Sequence, residues 1–170
     1  LVFSLVPIFL QKKGYRIMKL TNPSELKSVI ERHGFSFTKS LGQNFLIDEN
    51  ILNKIIEGSG IDKIWGALEI GPGMGVLTKE LALRTEKVLS IEIDKALLPV
   101  LKETLGEFDN VTILNADVLE LDLKAVIKEH FGDMPFVVCA NLPYNITSPV
   151  LTAFIEAGCF DAVTVMIQKE

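Results

Sequence analysis

Two cysteines, two histidines and one tryptophan are scattered through 170 residues. Cys139 and Cys159 stand far apart, with no CxxC pair and no histidine-rich neighbourhood. That argues against a zinc site or a disulfide framework, and for two reduced thiols packed in the core of a cytosolic protein. Long apolar runs are missing as well. None approaches the roughly 20 residues that a bilayer span needs, which excludes a transmembrane segment. What is present, 48% apolar and 23% charged residues, is the composition of an ordinary globular domain with one good-sized core.

Positive charge is scarce except at the start. Residues 1–40 hold seven basic side chains against Glu25 and Glu31, whereas residues 41–170 hold ten basic against twenty acidic groups. An acidic body with a basic arm suits a protein that meets a polyanion along one edge, although a solvated tail explains the charge equally well. Residues 1–17 read as an N-terminal extension outside the domain. LVFSLVPIFL is apolar, but its basic residues follow it and no small-residue cleavage site is evident, which argues against a signal peptide. Met18 opens a polar stretch, MKLTNPSELK, as if the start had been placed too far upstream; the rival reading is an amphipathic arm docked on the domain.

From residue 18 onward the hydrophobic periodicity alternates. Asn22 or Ser24 can cap a helix carrying Leu26, Val29 and Ile30, and Asp48 a second one with Ile51, Leu52, Ile55 and Ile56, ended by Gly58 and Gly60. Strands are expected at 67–70, 87–93, 111–114, 135–140 and 161–168. Helices are expected at about 75–84, 95–105, 121–130 and 148–157. Such alternation specifies an α/β fold, a parallel sheet with helices on both faces, because each parallel return needs a crossover.

Glu69-Ile-Gly71-Pro-Gly73-Met-Gly75 runs from the end of the first strand to the mouth of a helix, where an open α/β sheet places its ligand. Glycines let the backbone approach that ligand closely. The spacing is GxGxG, and Val76 stands where a dinucleotide fingerprint wants its third glycine. Glu69 would repel a pyrophosphate but could help hold an ammonium group through water or a backbone turn. A nucleoside with a cationic amino-acid tail, S-adenosylmethionine, therefore suits this loop better than NAD, with a purely structural tight turn as the alternative.

Glu92 ends the second strand about 20 residues after Gly71, the distance at which an acid accepts both ribose hydroxyls. Asp94 is its near competitor. Asp117, after the third strand, is placed to accept from an adenine amino group. Each acid alone could be a helix cap, but successive strand ends carrying such groups point to a nucleoside.

Asn141-Leu142-Pro143-Tyr144 closes the fourth strand. An exocyclic purine amine is a poor nucleophile because its lone pair is delocalised into the ring. Acceptors for both N–H hydrogens, here the Asn141 side-chain oxygen and a backbone carbonyl near Leu142, draw the nitrogen toward a tetrahedral shape with its lone pair aimed at a sulfonium methyl. Pro143 fixes the turn, and Tyr144 offers a flat face for an extruded base.

LGQNFL (41–46), EIGPGMG, IEID, NAD and NLPYNITSP, in this order and spacing, resemble the ribosomal RNA adenine N6-dimethyltransferases over about residues 20–170. The resemblance implies a Rossmann-like S-adenosylmethionine-dependent methyltransferase sheet, mostly parallel, acting on two adjacent adenosines near the 3′ end of small-subunit RNA and aiding 30S assembly in the cytoplasm. It further implies Asn44 and Leu46 at the methionine end of the cofactor, Gly71 at its amino-acid portion, Glu92 at the ribose and Asp117 at the adenine. Asn141 would face both cofactor and target, Tyr144 the target base, and Phe45 the target pocket. Family members continue past QKE into further strands and a small helical domain that grips RNA. The expectation is thus a methyltransferase domain over 18–170 whose sheet is incomplete at its C-terminal edge, with a whole cofactor site, weak hold on RNA and a fifth strand open to self-association. Two rivals are the large-subunit rRNA methylase of macrolide resistance and a non-catalytic ribosome assembly factor.

Overall fold

A computed structural model describes residues 18–34, 48–143 and 145–166. Helix α1 (Pro23–His33) begins at Asn22, the cap between the two candidates, whose side-chain oxygen accepts from the Ser24 N–H at 3.0 Å. Helix α2 (Glu49–Ser59) begins at Asp48, which accepts from the Asn50 and Ile51 N–H groups at 2.8 and 3.3 Å. Gly58, expected as a stop, lies inside α2, and Gly60 ends it. Ile51 faces outward, so the buried stripe is Leu52, Ile55 and Ile56.

The remaining elements alternate: β1 (Gly66–Ile70), α3 (Val76–Ala82), β2 (Lys87–Glu92), a 3₁₀ turn at Lys95–Leu97 leading into α4 (Leu98–Leu105), β3 (Val111–Asn115), α5 (Leu123–Phe131), β4 (Phe136–Asn141), α6 (Thr147–Ala157) and β5 (Ala162–Met166). Helix α3 is shorter than its sequence pattern because the Arg84 and Thr85 N–H groups turn back onto the Leu81 carbonyl. Strand β2 stops at Glu92 because Asp94 caps the 3₁₀ turn, accepting from the Ala96 N–H at 2.9 Å. The outer part of the fifth predicted strand, 167–168, lies outside the described residues.

All five described strands are parallel, in the order β3-β2-β1-β4-β5. Side chains alternate across the sheet as a period of two requires. Leu68, Ile70, Leu89, Ile91, Val138 and Ala140 pack beneath α5 and α6, while Ala67, Val88, Val137 and Cys139 face α2 and α3. A third cluster joins Leu26 and Val29 of α1 to Val100, Leu101 and Leu105 of α4. At its edge Arg32 and His33 both bond Glu103, His33 Nε2 at 2.6 Å. Cys139 is fully buried and its thiol is pushed up to about 12 by burial, an inert core position. Cys159 corrects the expectation of two core thiols: it is only half-buried, at the margin of the α5–α6 cluster. No described helix is long and apolar enough to cross a membrane.

The strand order reverses between β1 and β4, so the connections leaving these two neighbours diverge and open a crevice at the carboxyl ends of the strands.

Candidate active site

The crevice is lined at its base by Gly71, Gly73 and Met74, along one side by Glu92, Ile93, Asp117 and Leu119, and along the other by Asn141, Pro143, Asn145 and Ile146. The sheet register explains why they meet. Ile70 pairs with Ile91 on one side and with Ala140 on the other, so the next residues, Gly71, Glu92 and Asn141, stand level at three neighbouring strand ends.

The glycine loop is shaped for close approach. Gly71 has φ 70°, a left-handed conformation that a side chain strains, and a Cβ there would meet nothing within 4 Å, so its open side faces free space. Gly75 has φ 85°, and a Cβ would sit 3.0 Å from Leu105, so here glycine is also demanded by packing against α4. The Gly71 N–H donates to the Ile91 carbonyl at 2.9 Å, tying the loop to β2.

Glu92 is only 4% exposed. Its Oε2 accepts from the Gly73 N–H at 3.3 Å and its Oε1 from the Asp94 N–H at 2.8 Å. Burial raises its pKa, the neighbouring Asp94 charge adds to the rise, and the two N–H donors oppose it. Of the two acids Glu92 and Asp94, Glu92 lines the crevice and Asp94 caps a turn. Asp117 lines the crevice too, with Oδ1 accepting from the Leu119 N–H at 2.9 Å.

Glu69 departs from its expected place. It is 1% exposed, on the α3 side of β1, and Ser90 Oγ donates to its Oε2 at 2.8 Å. Burial pushes its pKa up to about 7, with Thr78 and Ser90 lowering it and the Glu92 charge raising it. Its carboxyl is held by protein groups beneath the loop, where the sequence reading had it holding an ammonium group through water or the turn.

Leu142, expected at the site, is not among the residues that line the crevice: it stands between Asn141 and Pro143, which do, with its side chain buried in the α5–α6 cluster and its N–H donating to the Met166 carbonyl at 3.2 Å. The Pro143 carbonyl accepts from both the Ile146 N–H, at 3.2 Å, and Thr147 Oγ1, at 2.9 Å. Both of its lone pairs are therefore engaged, which favours the carbonyl of Leu142 over that of Pro143 as the backbone acceptor for a substrate. Tyr144, Asn44, Phe45, Leu46 and residues 1–17 lie outside the described residues.

Among the lining residues that sequence reasoning missed are Ile93, Leu119, Asn145 and Ile146. Ile93 and Leu119 are apolar yet 51% and 42% exposed, and both line the crevice as Asp117 does, offering apolar surface to a flat ring. Ile93 had been read as continuing β2; the signal that could have found it is Asp94, whose capping geometry ends the strand. Asn145 and Ile146 follow the NLPY turn and reach the crevice because that turn folds back through Pro143.

Among the described lining residues the charged side chains are Glu69, Glu92 and Asp117, with no lysine or arginine. A dinucleotide pyrophosphate is disfavoured there, and a cationic nucleoside fits.

A family model described as ribosomal RNA adenine dimethylase matches residues 34–170. The chain belongs to that family. It is 50% identical over 153 residues to ribosomal RNA small subunit methyltransferase A of Staphylococcus haemolyticus, covering 89% of this chain and 52% of the relative. The enzyme of the same name from Alkaliphilus oremlandii is 46% identical over the same share of the chain and 53% of its own length. The chain thus spans about half the length of these curated relatives. Among solved structures, the 23S rRNA methyltransferase ErmE superposes with a TM-score of 0.62 at 33% identity, over 73% of this chain and 48% of that one. A dimethyladenosine transferase from Plasmodium falciparum follows at 0.58 and 28%, over 72% and 43%. The dimethylase family's α/β sheet is the one described above.

Proposed function

We propose that this chain forms the S-adenosylmethionine-binding catalytic domain of an rRNA adenine N6-dimethyltransferase acting on two adjacent adenosines near the 3′ end of small-subunit ribosomal RNA. The observation that carries the reading is the levelling of Gly71, Glu92 and Asn141 at three adjacent strand ends, with Asp117 at the fourth.

The cofactor fits these residues: Gly71 and Gly73 take its amino-acid portion, Glu92 the ribose hydroxyls, and Asp117 the adenine amine between Ile93 and Leu119. When bound, it supplies an electrophilic methyl group on a positively charged sulfur. The Asn141 carboxamide oxygen and the Leu142 carbonyl accept the two hydrogens of the target amine and localise its lone pair. No base is required before transfer, since the nitrogen proton becomes acidic only after alkylation. For the second methylation one N–H is left, so one of these acceptors holds the amine while the first methyl takes the other hydrogen's place. Tyr144 stacks on the base by family likeness.

The partner is small-subunit rRNA in a 30S assembly particle, met in the cytoplasm. The curated relatives at 46–50% identity bear small-subunit names, which favours that target over the 23S RNA named for ErmE at 33%. RNA phosphates would meet the basic residues 1–40, making affinity salt-sensitive. Strand β5 pairs only with β4 among the described strands, and its free edge is where two copies would associate.

The test is transfer of methyl label from S-adenosylmethionine to 30S and 50S particles, by the chain alone and by a chimera with the C-terminal half of the Staphylococcus haemolyticus relative. Label in dimethyladenosine of 30S RNA is expected from the chimera. Label in 50S particles would favour the macrolide-resistance type, and cofactor binding without transfer by the chimera would favour a non-catalytic assembly factor. Sedimentation of the chain across a concentration series tests self-association.

A further inference from the structure

Every described side chain on the crevice wall can be sorted by what it offers an adenine edge. Glu69, Glu92 and Asp117 are acceptors when ionised, and the others are apolar or glycine except for two carboxamides, Asn141 and Asn145. An adenine presents its amine hydrogens as donors and its ring nitrogens as acceptors. Asn141 has its oxygen assigned to the amine, which leaves the ring nitrogens in need of an N–H. Among the described side chains that line the crevice, the one able to supply it without drawing Asn141 from its task is Asn145.

The fold places it there. The Ile146 N–H and Thr147 Oγ1 both bond the Pro143 carbonyl, closing the chain between β4 and α6 into a tight turn. Asn145 sits in that turn, exposed, on the same wall of the crevice as Asn141 and Pro143. Among the described residues its carboxamide is engaged by no recorded partner, whereas Asn141 is engaged. An exposed carboxamide on a backbone fixed at both ends of a turn is suited to reading a base edge, because little freedom is lost when it bonds.

We infer that Asn145 is a specificity residue for the target base, its side-chain N–H donating to a ring nitrogen of the adenine whose amine Asn141 orients. The inference rests on the methyltransferase reading above and goes further in naming the residue that recognises the ring.

The experiment measures single-turnover transfer to a hairpin RNA carrying two adjacent adenosines, in the chain and in the chimera, with the targets replaced in turn by 1-deazaadenosine and 7-deazaadenosine. The unmodified protein should lose about tenfold in rate on one of the two analogues, the loss of one hydrogen bond. Asn145→Ala should lose about as much on adenosine and nothing further on that analogue. Asn145→Asp, equal in shape but without the N–H donor when ionised, should behave like Asn145→Ala near neutral pH. Both variants should keep cofactor affinity and thermal stability, which separates recognition from folding. If Asn145→Ala transfers to adenosine at the unmodified rate, or remains sensitive to both analogues, Asn145 does not read the ring and the inference is overturned, leaving a two-pronged contact by Asn141 in its place. If the unmodified chain and chimera bind cofactor but methylate no adenosine, the methyltransferase reading fails and this inference with it.

Discussion

Glu92→Ala removes a carboxylate that serves the fold and the proposed ligand at once, and the two effects can be separated. Toward the ribose, the loss is a pair of charge-assisted hydrogen bonds, about 1.5–3 kcal/mol, or roughly tenfold to a hundredfold in Kd. Toward the fold, the Gly73 and Asp94 N–H groups lose the acceptors they hold at 3.3 and 2.8 Å. Because Glu92 is 4% exposed, water reaches these donors poorly, and each costs about 1 kcal/mol. Glu92→Gln keeps the shape and one acceptor oxygen, so it should retain most of the stability while still losing affinity. The assay is calorimetric titration with S-adenosylmethionine beside denaturant unfolding of the same samples. Since burial raises the Glu92 pKa, affinity should climb with pH as this acid ionises, with a midpoint shifted upward from that of an ordinary glutamate, and the climb should vanish in both variants. Unchanged affinity in a folded Glu92→Ala chain would refute the ribose assignment.

Asn141→Ala should lower transfer by about a hundredfold or more while shifting cofactor Kd by less than about tenfold, because its oxygen acts on the target amine in the transition state; comparable losses in single-turnover rate and in Kd would make it a cofactor residue. Glu69 carries a pKa raised from 4.5 to about 7, so the folded state binds the extra proton between those values and stability falls as pH rises through that window, by about 3 kcal/mol in all. Denaturant midpoints of Glu69→Gln against pH should be flatter than those of the unmodified chain, and parallel curves would show that Glu69 ionises freely. A chain beginning at Met18 should bind cofactor as the longer one does, since every described crevice residue lies beyond that position; a markedly weaker Kd on trimming would show that residues 1–17 support the crevice.

Helix caps and alternation were legible in the sequence because each is a local rule: Asp48 announces α2, and the crossovers between apolar runs require parallel strands. The place of Glu92 and Asp117 on the crevice was legible because strand ends in such sheets open onto one. Other features depend on what lies across the sheet. GALEI is buried along its whole length, so its alternation is invisible, and only the neighbouring Ser90 shows that Glu69 has a partner beneath the loop. Leu142 sits in an apolar-looking turn, and its side chain turns into the core between two residues that line the crevice. Ile93 looked like strand until Asp94, engaged as a cap, ended β2. Asn145 became visible once Pro143 was seen to close the turn that carries it.

The crevice depends on register more than on any single side chain. A slip of one residue between β1 and β2 would move Glu92 to the α5 face and bring Ile91 or Ile93 beside the glycine loop. Apolar packing resists such a slip only weakly where both faces are apolar, as they are along β1 and β2. The Ser90–Glu69 hydrogen bond breaks that degeneracy: it joins directly paired residues in adjacent strands, and a slipped arrangement would leave a buried carboxyl facing aliphatic side chains. Burial that lifts the Glu69 pKa to about 7 is thus the cost of a pin, set two residues before Gly71, that holds Glu92 level with that glycine. An acid before the glycines thus has a task within the sheet: it aligns the strands whose ends carry Gly71 and Glu92.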